Sequence, residues 1–260
     1  MKRYIRIWWK LTMNSFMSGF LTRLNAAVFL IGKILRFVFF LVFLVTLFGR
    51  TEHLAGYTGT QIIFFYLSYN LVDTVSQLLY REVYRFRPLI VSGDFDFALT
   101  KPMNALFRAL LGGADPLDMF MLLPYGAALV YTAGRLGHIT TWNIVLYTVL
   151  LVNGLFIATG FHILVLALGI IATEVDHAIM IFRDVVSMGR IPTDVYREPL
   201  RSVLTVVVPV GIMMTFPVKA MLGLLSPPGI ALAVAVGVVF FLFCLRIWRY
   251  ALSQYSSASS

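Results

Sequence analysis

The sequence predicts an all-α membrane protein with six transmembrane helices, and three observations carry that expectation. Of its 260 residues, 60% are hydrophobic and only 13% charged, and mean hydropathy is +0.87. A soluble domain is nearer half apolar and a quarter charged, so one core of this size cannot bury the excess and a bilayer must act as solvent. Apolar runs near 30–49, 59–79, 116–134, 142–171, 202–217 and 230–248 are long enough for a bilayer core that takes about 20 helical residues. No polar stretch is long enough to form a separate domain, so residues 25–250 read as one membrane unit, with 1–24 before it and a tail at 251–260.

The third observation is where the charge lies. Six crossings put both termini on one side. That side holds Lys2, Arg3, Arg6, Lys10 and Arg23, then Arg81, Arg85, Arg87, Lys101 and Arg108. Arg183, Arg190, Arg197, Arg201, Arg246 and Arg249 bring it to sixteen of the 21 basic residues. The other side has Arg50, Arg135 and Lys219, while Lys33 and Arg36 fall at the inner end of the first span. Basic loops stay inside, so both termini and the 80–115 region are expected in the cytoplasm. The net charge of +9 therefore reports topology and not a nucleic-acid partner.

In residues 1–24, Ile5, Trp8, Trp9, Met13, Phe16, Phe20 and Leu24 form a helical stripe, with Lys2, Arg3, Arg6, Lys10 and Asn14 opposite. Tryptophans on one face and basic residues on the other predict a helix lying in the membrane interface. This start has no signal-peptide apolar run, so insertion is expected to rely on the first span. The fourth run is overlong, and its Asn153, Gly154, Thr159 and Gly160 predict a tilt or kink. The fifth is short and broken by Pro209, Gly211 and Pro217, and "FPVKAMLGLLSPPG" after it predicts a short re-entrant segment. Such irregular backbone must be covered by protein or line a wet cavity. The tail "SQYSSASS" reads as disordered.

Several chemistries lack their residues. There is no G-x-x-x-x-G-K-[ST] loop, no H-E-x-x-H and no G-x-S-x-G, and His53, His138, His162 and His177 are scattered. The single Cys244 excludes an internal disulfide and a cysteine metal cluster, and in its apolar run it reads as a small buried hydrophobe. No cofactor or metal is expected on this chain. Inside the spans, Asp73 and Gln77 share a face of the second and His162 lies in the fourth. Either they line a substrate path or proton relay, or they make helix–helix hydrogen bonds and snorkel.

The most informative stretch is "SGDFDFALTKPMNALFRAL", residues 92–110. Gly93 permits a turn, and Asp94 is placed to cap a helix whose first turn carries Asp96. Phe95, Ala98 and Leu99 would share a face. Pro102 would start a second helix with Met103, Leu106, Phe107 and Leu110 on one side, closed by Gly112 and Gly113. Short amphipathic helices with charges to fix register suit a docking knob for a cytosolic partner; the alternative is an interfacial loop that only redirects the chain.

This stretch, in the pattern G-D-hydrophobic-D-x-x-L-x-K-P, resembles the loop after the second span in ABC transporter permeases of the type-two exporter class. "GRIPTDVYREPLRSVLTVVVPVGIMMTFPVKAML", residues 189–222, resembles their second signature. The resemblance implies a permease paired with a second permease chain, standing on separate ABC ATP-binding subunits that hold ATP and Mg. It also implies a multi-pass protein of the bacterial cytoplasmic (inner) membrane, exporting a substrate that the residues do not specify. It assigns Gly93, Asp94, Asp96, Leu99, Lys101 and Pro102 to the region coupling to the ATPase. Arg190, Pro192, Tyr196 and Arg201 go to a second cytosolic region. Competing readings are an ATP-independent secondary transporter or channel, a lipid-modifying membrane enzyme and a structural membrane subunit. The first would call for more ionisable groups in the spans and an internal repeat.

Overall fold

A computed structural model describes residues 2–21, 23–172 and 175–256; the side chains of residues 18–23 and 175 lie outside that description, as do residues 257–260 of the expected tail. The chain is helical almost throughout. Helix α1 (Lys2–Leu21) leads to α2 (Arg23–Phe48), and a small hairpin of β1 (His53–Leu54) and β2 (Tyr57–Thr58) turns the chain into α3 (Gly59–Tyr80). Thr58 starts α3 with a reciprocal cap: its Oγ1 accepts from Gln61 N at 3.4 Å while Gln61 Oε1 accepts from Thr58 N at 2.9 Å. A 3₁₀ turn over Arg81–Arg85 carries α3 into α4 (Phe86–Val91), followed by α5 (Phe95–Thr100) and α6 (Ala105–Leu110). Then come α7 (Pro116–Ala133), α8 (Thr141–Ala172) and α9 (Val175–Ser187).

Four helical stretches are long and apolar enough to cross a membrane: Leu24–Phe48, Gly59–Val91, Thr141–Ala172 and Pro227–Ser253. The chain is thus a multi-pass, all-α membrane protein. The expected second span lengthens, since helix continues from Tyr80 through the 3₁₀ turn to Val91. The last helix, α12 (Pro227–Ser253), starts on Ser226 as cap and runs three residues into the expected tail. At 18 residues, and bearing Asp118 and Pro124, α7 is shorter than those four and is not among them.

Two poles organise the bundle. At one, the hairpin end, lie β1–β2 and the first turns of α3, α8 and α12. At the other lie α4–α6, α1 and the last turns of the same three helices. Parallel contacts fix this order: Phe64 and Ser68 of α3 meet Tyr147 of α8, and Tyr80 meets Thr159. Between α8 and α12, Asn153 Nδ2 donates to Ala233 O at 2.9 Å and Gly160 faces Phe240. The expected kink in the fourth span is replaced by one unbroken helix. Its small residues are seats for neighbours: a Cβ on Gly154 would stand 2.7 Å from Met213 O.

The largest departure from the sequence reading concerns residues 175–221. Asp176 pairs with Arg87 at 2.8 Å, beside α4. Arg183 borders a cavity with Asp73, Arg190 lies 5.8 Å over the Tyr69 ring, and Asp194 accepts from the Tyr57 hydroxyl at 2.8 Å. The chain therefore climbs the whole height of α3 between 176 and 194. Arg190, Pro192, Tyr196 and Arg201 belong to the middle and the hairpin end, and not to a region shared with residues 92–110. The expected span at 202–217 also changes. Helix α10 (Leu200–Ser202) continues as a π-helical turn to Val207, the chain breaks at Pro209, and a second π-helical turn enters α11 (Phe216–Met221). The two arms, Leu200–Val207 and Gly211–Met221, are bent by 79°. Arg201 ties one arm to Asp194, and Asn143 Nδ2 ties the other to the hairpin end through Ala220 O at 2.9 Å. The apex reaches the level of Gly154, about 20 Å down α8. An apolar stretch with a proline and a glycine at its centre folds back because neither residue holds a helix there.

Candidate functional site

Residues 92–110 form a platform whose inner side is anchored and whose outer side is bare. Gly93 turns the chain with φ at +79°. Phe95 is only 1% exposed; its ring meets Phe86 at 5.1 Å and Tyr255 at 5.4 Å, in a cluster with Val83, Ile163, Leu166 and Trp248. Two places after it, Phe97 is 67% exposed, and Leu99, Lys101 and Pro102 are exposed as well. Leu99 shares the helix face of Phe95 and Ala98 one turn on but is less covered, at 37% exposed.

The caps also differ from the sequence reading. Asp94 has helical φ and ψ and makes no cap; its Oδ2 instead accepts from Ser92 Oγ at 2.8 Å. The second helix starts at Ala105 and not at Pro102, because Asn104 is extended and its Oδ1 accepts from Phe107 N at 3.1 Å. The freed Pro102 carbonyl takes Arg3 Nη2 at 3.1 Å, and Tyr4 Oη accepts from Asn104 N at 3.3 Å. The Tyr4 ring meets Phe107 at 4.7 Å, and Thr12 Oγ1 accepts from Ala114 N at 3.2 Å. Gly113, with φ at +134°, lets α1 come so close that a Cβ would stand 2.8 Å from Leu11 O. Helix α1 is therefore strapped across the platform. Its Ile5, Trp9, Met13 and Met17 stay exposed, while Trp8 is half-buried and Phe20 lies outside the described side chains. Arg108 completes the brace by pairing with Glu82 at 2.9 Å.

Beside the platform, α2, α3, α7 and α9 enclose a charged cavity of about 350 Å³. Lys33 and Arg36 come from α2, Asp73 and Gln77 from α3, Asp115 and Asp118 from the start of α7, and Arg183 from α9, with Arg81 at the foot of α3. Lys33 pairs with the buried Asp118, Arg81 Nε reaches Asp115 Oδ2 at 3.2 Å, and Gln77 Nε2 donates to Asp73 Oδ2 at 2.7 Å. Asp73 and Gln77 are thus together, as their spacing suggested. His162 is elsewhere: its Nδ1 contacts Ala158 O at 2.8 Å, and Tyr80, Tyr84 and Phe182 close round its ring. Sequence reasoning missed Lys33, Arg36, Asp118 and Arg183 as lining residues. The available signal was Lys33 and Arg36, three apart on one face of an apolar run. Among the described residues, no group of three or more His, Cys, Asp or Glu side chains is placed to hold a metal ion. What the cavity offers is charge and hydrogen bonds to a polar group passing α3.

A helical membrane component with a braced platform at one pole and a charged cavity beside its central helix is the class that these features define. A family model described as ABC-2 family transporter protein matches residues 34–259, nearly the whole chain. The chain belongs to that family, and is a permease component of an ABC transporter whose counterpart is an ABC ATP-binding subunit. No curated protein and no solved structure matches it.

Proposed function

We propose that this chain is the permease of an ATP-driven exporter, working as a pair of permease chains on two ATP-binding subunits. ATP and Mg bind on those subunits and not here. Their closure on ATP pushes the platform at residues 92–110, and the push moves the helices around the path. ATP shifts the equilibrium by favouring one of two helix packings. The observation that carries this reading is the platform itself: Phe97, Leu99 and Lys101 stand bare on a base that Phe95 roots among α4, α8 and α12.

The topology that fits has six crossings: α2, α3, α7, α8, the climb from 175 to 195, and α12. The arms 200–207 and 211–221 then form a re-entrant V entering from the hairpin end, and α1 lies in the interface. With Arg183, Arg190, Arg197 and Arg201 removed from the platform pole, twelve basic residues remain there against five at the hairpin end. The platform, both termini and the ATPase thus share the cytoplasmic side of a bacterial inner membrane. Asp94 and Asp96 border the docking surface, and membrane lipid contacts the outer faces.

The test is copurification of an ATP-hydrolysing subunit with the full chain, gently solubilised, in wild type and in a Phe97→Ala, Lys101→Ala double variant. The reading expects an ATPase with the wild type and markedly less with the variant. A transport-competent chain carrying no ATPase would overturn it. That result would favour an ion-coupled transporter, for which the cavity at Asp73 is the supporting observation.

A further inference from the structure

A second cavity, of about 390 Å³, continues from the charged one, sharing Arg36 and Asn70. Its volume lies in the range of small-molecule sites, about 300–1,000 Å³. Phe39, Phe40 and Phe43 of α2 form one wall, Tyr66 and Tyr69 of α3 another, and Arg190 closes it from the climbing segment. Both arginines lie near mid-height. Arg36 is about 18 Å along Leu24–Phe48, and Arg190 stacks on Tyr69, about 15 Å from the start of α3. Neither arginine has a carboxylate within 4 Å among the described residues. The acid of the adjoining cavity, Asp73, takes a hydrogen bond from Gln77 and acts on both arginines through space, without an ion pair to either.

The other polar groups here are already engaged. Asn70 Nδ2 donates to Tyr66 O at 2.7 Å and the Tyr66 hydroxyl to Phe37 O at 3.4 Å. The groove's own lining thus holds two cations and no anion, with Asp73 acting on both only from the adjoining cavity and Tyr69 engaging Arg190, at a depth where a charge is costly. Its mouth is apolar and lateral: Phe39 is 69% and Phe43 54% exposed.

We infer that this groove binds a membrane-dissolved anionic amphiphile, with its phosphate or carboxylate head between Arg36 and Arg190 and its aliphatic tail along Phe39, Phe40 and Phe43. Guanidinium forks match such heads bidentately, and a tail takes the place of lipid on the phenylalanine rings. A cation would meet two like charges, and an uncharged amphiphile would leave both unanswered. That this amphiphile is cargo rests on the permease reading; that it binds does not.

The experiment is native mass spectrometry of the full chain in neutral detergent, titrated with dodecyl phosphate, dodecyl glucoside or inorganic phosphate. One dodecyl phosphate per chain is expected. Binding should weaken by at least about tenfold in Arg36→Gln and Arg190→Gln, the size of losing one charge-assisted contact. Arg36→Lys, which keeps the charge, should lose less and shows that the fold survives. Phe39→Ala with Phe43→Ala should weaken dodecyl phosphate while leaving inorganic phosphate as weak as before.

Equal occupancy by dodecyl glucoside would overturn the inference, since the groove would then be merely apolar. So would inorganic phosphate binding as tightly as the amphiphile, or wild-type binding in both glutamine variants. A chain that binds dodecyl phosphate selectively but carries no ATPase keeps the site and removes the proposed ATP-driven export. A chain with its ATPase and no selective binding does the reverse.

Discussion

The two poles share an apolar core and differ in how their polar ties are arranged. At the platform pole the anchor is apolar and inside: Phe95 fills a cluster of helix ends, while the polar contacts run along the edge through Arg3, Asn104, Glu82 and Arg108. At the hairpin pole Tyr57, Phe64, Phe65, Val218 and Met221 form an apolar cluster of their own, and several polar ties gather on one carboxylate above it. Asp194 accepts from Tyr57 of the hairpin, Arg201 of the first V arm and Lys219 of α11, joining three segments far apart in sequence. An apolar anchor resists separation but carries little direction, so the platform is bound as a body to the helix ends it is rooted in. A shared carboxylate is directional and can be exchanged, so at the hairpin pole three segments meet at one polar point, beside the apolar cluster and the Asn143–Ala220 tie.

Breaking each anchor should expose that difference. The largest effect is expected for Phe95→Ala, which opens a cavity among helix ends and should cost about 3–5 kcal/mol, read as a lowered thermal midpoint of the solubilised chain. Asp194→Ala should follow at about 1–3 kcal/mol, because Lys219 and Tyr57 lose a half-buried acceptor. Limited proteolysis should then cut within 196–210, where the V is untied, and a platform cut instead would contradict the assignment of Asp194 to the hairpin pole. Asn104→Ala removes the cap of α6 and should cost about 1 kcal/mol; thermal unfolding measures it, and no change would mean that Tyr4 and Arg3 suffice to hold the turn. Phe97→Ala and Arg87→Ala should lie within about 0.5 kcal/mol, since one side chain is bare and the other pairs with Asp176 where both are about half exposed. Phe97→Ala should nonetheless weaken ATPase recovery while Arg87→Ala does not, which separates docking from stability at equal thermal midpoint.

Much of this arrangement was legible in the sequence, and the exceptions have physical causes. The spans at α2, α3, α8 and α12 are apolar enough to read directly. The platform was visible as a turn glycine followed by short amphipathic repeats. Its second start was misplaced because Pro102 is a good first helical residue, whereas the cap that decides is the Asn104 side chain. The climb from 175 to 195 was hidden because it carries Asp184, Arg183, Arg190 and Asp194, and a hydropathy reading assigns such a stretch to water. Arg190 meets the Tyr69 ring, Asp194 meets Tyr57 and Arg183 borders the cavity beside Asp73, while Asp184 is exposed. The apolar 202–217 read as one straight span for the converse reason: hydropathy does not register the 79° bend at Pro209 and Gly211.

The unbroken α8 has a mechanical consequence. Its 32 residues make a rod about 48 Å long. Ile163, Leu166 and Ile170 near one end share the cluster of Phe95, Gly154 at mid-length seats the apex of the V, and Asn143 at the other end holds its second arm. A stiff shaft bearing on three successive seats does not absorb a stroke applied at one of them. Under the proposed coupling, a displacement of the platform would be carried along α8 to the apex of the V, which gives α8 the part of a connecting rod.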